Sequence, residues 1–199
     1  LLHCNQRSIP SPIVACLQCT GGKMSPHHKD CVYDGTLGKS YAEGDLPTET
    51  NIYGVSKSCG EPLGASILRT SIIGEEFSGK KSLLEWVRSN KGKEVKGFSN
   101  HLWNGVTVLQ LAKVIDQIID SNIQWSGVRH VISPKPVSKL ELVQIINEIY
   151  SLAISIIPFE SPDPRDKTLL PSLDERFSSL ISIPSIEQQI QELRDFHRN

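Results

Sequence analysis

From residue 65 onward, short β-branched runs alternate with longer segments of helical period, and this alternation constrains the fold more than any other feature of the chain. "ASILRTSIIG" (65–74) reads as one buried strand, rich in isoleucine and threonine and closed by glycine. "SLLEWVRSNKG" reads as an amphipathic helix ended by Gly92, and "EVKGF" as a short strand. "GVTVLQLAKVIDQIIDSN" predicts a long helix with Val106, Leu109, Val114, Ile118 and Ile119 as its apolar stripe and Thr107 with Gln110 as a capping box. "GVRHVIS" is a further strand. In "VSKLELVQIINEIY" Ser138 and Glu141 have capping-box spacing, and "IPSIEQQIQELRDF" repeats the device with Ser185 and Gln188. Upstream, "CVYDG" reads as a strand end running into a turn. "TNIYGVSKSCGEPLG" predicts a helix from about Tyr53 to Glu61, stopped near Pro62 and Gly64. The class is therefore α/β. The proline-rich "IIPFESPDPRDKTLLPS" reads as a long irregular connection on the surface or substrate side. The first thirty residues have no periodicity that fixes helix or strand.

Composition narrows the function classes. With 199 residues, 38% hydrophobic and 22% charged, the chain suits a globular protein of one to one and a half domains. A net charge of −1 gives no bulk electrostatic reason to expect nucleic acid or an anionic membrane as partner. No apolar run approaches the ~20 residues of a membrane span, and "LLHCNQRSIPSP" is too briefly apolar for a signal peptide. Four of the five cysteines, Cys4, Cys16, Cys19 and Cys31, crowd the first 31 residues, unlike a disulfide framework. Free thiols in a cytoplasmic protein are the expectation. Cys16-x-x-Cys19 with His27, His28 and Cys31 has half the spacing of a zinc site, but the His-His-x-x-Cys half is unusual; no metal is expected.

Gly38-Lys39-Ser40 invites a phosphate-loop reading, which fails on spacing. The first glycine of such a loop falls on Tyr33, and "SYAEGDLPTET" follows where a helix should start. Asp34-Gly35 is better read as a turn. Tyr53 and Lys57 carry more chemistry. At i and i+4 they share a helix face. A free tyrosine has a pKa near ~10; an ammonium beside it stabilises the phenolate and fits it to donate a proton to a carbonyl oxygen. The bland alternative is an exposed lysine next to a half-buried tyrosine. Arg69, inside an apolar strand, calls for a carboxylate partner.

The tyrosine–lysine pair sits in an ordered set of motifs. Asp30-Cys31-Val32-Tyr33-Asp34-Gly35 is followed by a loop with Tyr41, Glu43, Asp45 and Pro47, then by Tyr53, Gly54, Ser56, Lys57, Gly60 and Glu61, then by "LRTSIIG". From roughly Asp30 to Phe196 this resembles the extended short-chain dehydrogenase/reductases, most closely the dTDP-4-dehydrorhamnose reductase group. The resemblance implies a partial Rossmann-like, doubly wound parallel sheet with a small C-terminal α/β substrate-binding part. Residues 1–75 would belong to the dinucleotide-binding fold, and 76–199 would mix the substrate region with the remaining Rossmann elements. It implies NADPH or NADH as cofactor, a nucleotide-linked 4-keto sugar as substrate, and a homodimer as the assembly to test. Tyr53 would be the proton donor and Lys57 its activator and ribose ligand, with Thr70 and Ser71 also on the cofactor. Asn100, His101, Trp103 and Asn104 would face the substrate, Trp103 either stacking on it or anchoring a helix start. Asp163, Arg165, Asp166 and Lys167 form either a solvated loop or, through Arg165 or Lys167, a diphosphate contact.

Two positions depart from the group. The Gly-x-x-Gly-x-x-Gly turn that holds a pyrophosphate is not found. His28 and Lys29 stand where the group has a Ser-Thr pair that helps hold the substrate carbonyl. The intact Tyr53/Lys57 pair favours a reductase, and the departures favour an incomplete chain or a regulatory relative that binds a partner enzyme without turnover.

Overall fold

A computed structural model describes residues 13–15, 32–59, 61, 65–76 and 82–196. Cys4, Cys16, Cys19, His27, His28, Lys29, Cys31 and Gly60 lie outside them, and so does the zinc question. Among the described residues no group of histidine, cysteine or carboxylate side chains is placed to hold a metal, and no helix is long and apolar enough to cross a membrane.

The central sheet is parallel and three-stranded. Strand β2 (Ser66–Arg69) lies between β1 (Ile13–Ala15) and β7 (Gly127–His130). Helix α1 (Ile52–Cys59) precedes β2 in the chain. A second parallel pair joins β3 (Ile72–Ile73) to β6 (Val106–Thr107), and a third joins β4 (Glu94–Phe98) to β9 (Ser155–Phe159). Strand β5 (His101–Trp103) is flanked by β10 (Arg165–Asp166), parallel, and β8 (Val137–Ser138), antiparallel. Helices α2 (Leu83–Ser89), α3 (Val108–Asp120), α4 (Lys139–Tyr150), α5 (Glu175–Leu180) and α6 (Ile186–Phe196) complete the α/β class expected from the sequence.

The core has three parts. Leu68 of β2 packs with Val106, Leu111, Val114, Ile118 and Phe177 against the central sheet. The largest cluster joins α2, β4, α4 and α6 through Leu84, Val87, Val95, Ile146, Ile190 and Leu193. A small one stacks Tyr33 on Tyr41, ring centroids 4.0 Å apart, with Val32 and Leu169. Gln189 of α6 is buried and reaches the middle of the molecule. Its Oε1 accepts from the Thr107 amide (3.0 Å), and its Nε2 donates to Ser133 Oγ (2.9 Å).

Several expectations need correction. "ASILRTSIIG" is two strands with Thr70-Ser71 between them, because the first half pairs with β1 and β7 and the second half with β6. Val106 belongs to β6 and not to the helix stripe, and Ile119 is 60% exposed; the buried face of α3 is Gln110, Leu111, Val114 and Ile118. Thr107 does cap α3, accepting from Gln110 N–H. The box is not closed by Gln110, whose side chain donates to Ser182 O, and Gln189 satisfies the Thr107 amide instead. The Ser138–Glu141 and Ser185–Gln188 boxes both form. The described part of "CVYDG" is not a strand: Val32 O is taken by the amides of Thr48 and Glu49. The proline-rich connection holds β9 and β10. Pro158 is tolerated because β9 pairs on one side only, with Pro158 opposite Gly97.

Candidate active site and substrate cavity

Helix α1 begins where two side chains meet three amides. Asn51 Oδ1 accepts from Gly54 N–H (3.0 Å), meeting one of the amides that a helix start leaves unpaired. Glu49 Oε1 accepts from the amides of Thr50 (3.2 Å) and Asn51 (3.3 Å). The geometry so fixed puts Tyr53 and Lys57 on one face, with Lys57 Nζ 5.3 Å from the centre of the Tyr53 ring. An ammonium at that distance is attracted to the ring face. Thr70 and Ser71 follow the carboxyl end of β2, the edge at which open parallel sheets bind ligands. Both are buried. The Thr70 hydroxyl donates to Ser71 O (3.2 Å), and Ser71 Oγ accepts from Trp103 Nε1 (2.6 Å). Of the four residues expected on a nicotinamide cofactor, the α1 pair thus keeps a phenol and an ammonium on one helix face, while Thr70 and Ser71 spend their hydroxyls inside the fold.

A cavity of about 790 Å³ lies between α2, β4, β5, α4 and β10. That is the size of a pocket for a nucleotide-sized ligand. Its lining is mixed: Trp86, Val95 and Val143 are apolar, and Asp34, Glu49, Lys139, Arg165 and Lys167 are charged. Neither Tyr53 nor Lys57 lines it. His101 does: its ring stacks on Phe98 at 4.6 Å and its Nε2 is 3.1 Å from Asp163 O. Burial moves His101 below the usual histidine range. Trp103 is 1% exposed, a packing anchor at the cavity wall, with Lys139 Nζ 5.7 Å from its ring centre. The two asparagines are staples. Asn100 exchanges two hydrogen bonds with the backbone of Ser161, and Asn104 two with that of Leu169. Together they hold the segment bearing Arg165 and Lys167 against β5.

Glu49, Trp86 and Lys139 were not singled out by the sequence, and Asp34 only as part of a turn and a motif. Asp34 carried the one usable signal, as the polar residue of a turn. Partial burial opposes its ionisation, but hydrogen bonds from the Thr36 hydroxyl and amide, from Thr48 and from Tyr41 outweigh it and hold Asp34 at about 2. A carboxyl with a folded-state pKa below its unfolded one stabilises the fold above the unfolded value and loses that contribution as pH falls through the folded value. Urea melts of Asp34→Asn are therefore expected to show a weaker loss of stability than the parent between roughly pH 4 and pH 2. Parallel curves for the two proteins would show that Asp34 is not held this way.

Arg69 has its carboxylate. Nε and Nη2 meet the two oxygens of Glu61 at 3.1 and 2.7 Å, and Nη1 donates to Tyr33 OH at 2.6 Å.

No protein-family model matches the chain, and a comparison with curated proteins finds no sequence match. Solved structures do match. A dTDP-4-dehydrorhamnose reductase from Bacillus anthracis, solved in complex with NADP, superimposes with a TM-score of 0.69 at 20% identity, covering 84% of this chain and 63% of that one. The corresponding Clostridium acetobutylicum reductase gives 0.65 at 17% identity, covering 85% of this chain and 65% of that one. A UDP-glucose 4-epimerase from Thermotoga maritima, solved with UDP-glucose, gives 0.63 at 16%, covering 82% and 59%. The chain thus spans less than two thirds of the length of these relatives. Its fold is the α/β fold that these reductase and epimerase structures share.

Proposed function

We propose that this chain carries the proton-donating and substrate-binding machinery of an NAD(P)H-dependent reductase of a nucleotide-linked 4-keto sugar, in the class of step that completes dTDP-rhamnose. The observation that carries the reading is the Lys57 ammonium 5.3 Å from the Tyr53 ring on a helix whose start is fixed by Asn51 and Glu49. When bound, the nicotinamide supplies hydride to the carbonyl carbon. Tyr53 gives its phenolic proton to the carbonyl oxygen, and Lys57 stabilises the phenolate left behind and holds the ribose hydroxyls. Thr70 and Ser71 contribute as the backbone rim at the end of β2. The cavity takes the nucleotide diphosphate, His101 and Trp103 forming part of its wall while Asn100 and Asn104 set the position of Arg165 and Lys167. In this reading residues 1–75 serve the cofactor, 76–199 chiefly the substrate, and the protein works in the cytoplasm, with a homodimer as the assembly to look for.

Calorimetric titration with NADPH tests it. Lys57→Ala is expected to weaken binding about tenfold, ~1.4 kcal/mol, while Tyr53→Phe keeps NADPH affinity and abolishes reduction of 4-keto nucleotide sugars. Equal NADPH affinity in the parent and Lys57→Ala would remove the cofactor role. His28 and Lys29, in place of the hydroxyl pair of the resembled group, favour a second reading, a dinucleotide-binding relative without turnover. Saturable NADPH binding with no reduction of any 4-keto nucleotide sugar would select it.

A further inference from the structure

The cavity and the α1 pair are separate, and one ion pair joins them. Lys167 Nζ lies 3.6 Å from Glu49 Oε2, with side chains 14% and 13% exposed, and both residues line the cavity. The distance exceeds that of a direct hydrogen bond, so the attraction is chiefly Coulombic and open to competition by a stronger anion. The other Glu49 oxygen is engaged elsewhere. Oε1 accepts from the amides of Thr50 and Asn51, immediately before the turn that presents Tyr53. Glu49 N–H donates to Val32 O, which fixes its backbone.

Lys167 is fixed just as firmly. Asp166 N–H donates to Gly35 O at 2.9 Å, and Arg165 Nη1 donates to Asp34 O at 3.1 Å. The Lys167 stem crosses Gly35 so closely that a Cβ there would lie 2.9 Å from its Cγ, and Gly35 has φ +80°. Only glycine suits that place on both counts. With both backbones held, the adjustable part is the pair of charged heads.

We propose, on the reading of the cavity as a nucleoside-diphosphate site, that Lys167 and Glu49 are positioning residues: an anion in the cavity draws Lys167 away from Glu49, and Glu49 turns its charge more fully onto the amides that open α1, so that occupancy sets the position of Tyr53. The physics runs in one direction. A carboxylate that loses its cation while an anion arrives nearby is driven toward other positive ends. The nearest are the Thr50 and Asn51 amides it already holds, at the positive end of the helix. Tightening there is transmitted through Asn51, whose side-chain and backbone oxygens accept from Gly54 and Val55, the two residues that follow Tyr53.

The sign of two substitutions tests this. The full chain is titrated with dTDP, with thymidine and with inorganic pyrophosphate by calorimetry, and amide exchange at residues 51–55 is followed with and without dTDP. In the parent, dTDP is expected to bind more tightly than thymidine and to slow exchange at 51–55. Lys167→Met should weaken dTDP about tenfold and leave thymidine unchanged, with Lys167→Arg restoring the parent affinity. Glu49→Gln, nearly isosteric, should tighten dTDP about threefold by removing the competitor for Lys167, while the exchange response at 51–55 disappears. A pair that only braces the fold would weaken dTDP and thymidine alike in both variants, and that result overturns the proposal. So does an exchange response in Glu49→Gln equal to the parent's. If Lys167→Met does not fold, Glu49→Gln and Lys167→Arg still decide the sign. If pyrophosphate shows the pattern and dTDP does not bind, the coupling stands and the nucleotide reading falls; if neither binds the parent, the coupling falls.

Discussion

Arg69→Met is expected to destabilise the protein by about 3–5 kcal/mol, the cost of removing one partner from a buried charge pair. The guanidinium side chain is 6% exposed and that of Glu61 11%, and the two meet through both carboxylate oxygens. Without Arg69, Glu61 keeps a charge in a place with little water. Tyr33 OH, which donates to the carbonyls of Ala42 or Asp45, loses a charge-assisted donor at 2.6 Å. Thermal unfolding should drop by roughly 6–20 °C for a chain of this size. The double variant Arg69→Met/Glu61→Leu separates charge from packing. It is expected to recover much of the loss, because an apolar pair of similar volume is close to neutral. A single variant within about 1 kcal/mol of the parent, or a double variant no better than the single, would show that the pair is not the buried tie described here.

Gly105→Ala should cost about 3 kcal/mol, roughly 6–12 °C in Tm. A Cβ at residue 105 would lie 2.0 Å from Ser71 O and 2.5 Å from Trp103 Cζ2. Neither neighbour can yield cheaply. Ser71 O holds Val106 N–H in the β3–β6 pairing, Trp103 is fixed by Ser71 Oγ, and Gly105 O accepts from Ser133 Oγ at 2.6 Å. Gly44→Ala is the control, since a Cβ there meets nothing within 4 Å; it should fall within about 0.5 kcal/mol of the parent. Equal melting of the two variants would mean that the β3–β6 junction adapts.

What the sequence made legible follows the range of the interactions. The caps of α4 and α6 were readable because serine and its partner lie three residues apart. The cap of α3 was half readable, because the group completing it is Gln189, 82 residues away from Thr107. Strands β5, β6 and β8 have two or three residues, too few for alternation to show. Strand β9 was hidden by Pro158, which mattered only if the strand had neighbours on both sides. In the site, Tyr53 and Lys57 were visible through their spacing. Lys167 was visible only as part of a charged loop that could meet a diphosphate; its pairing with Glu49 was not, since nothing local says that residues so far apart in the chain meet as an ion pair. Asn100 and Asn104 were legible as polar groups beside it, but only the fold shows that each is tied to the backbone of the returning segment.

The placement of Gln189 also bears on how the molecule is made. Ile186, Ile190 and Leu193 complete the largest core cluster, and Gln189 satisfies the amide at the start of α3. A nascent chain still lacking this stretch has its α2, β4 and α4 apolar faces without their cover, and α3 with its opening amide unmet. This cluster therefore closes only once α6 has left the ribosome, and the exposed faces are open to aggregation until then. Expression fragments cut before residue 186 inherit that exposed state permanently, which sets the C-terminal limit for any shortened version of this protein.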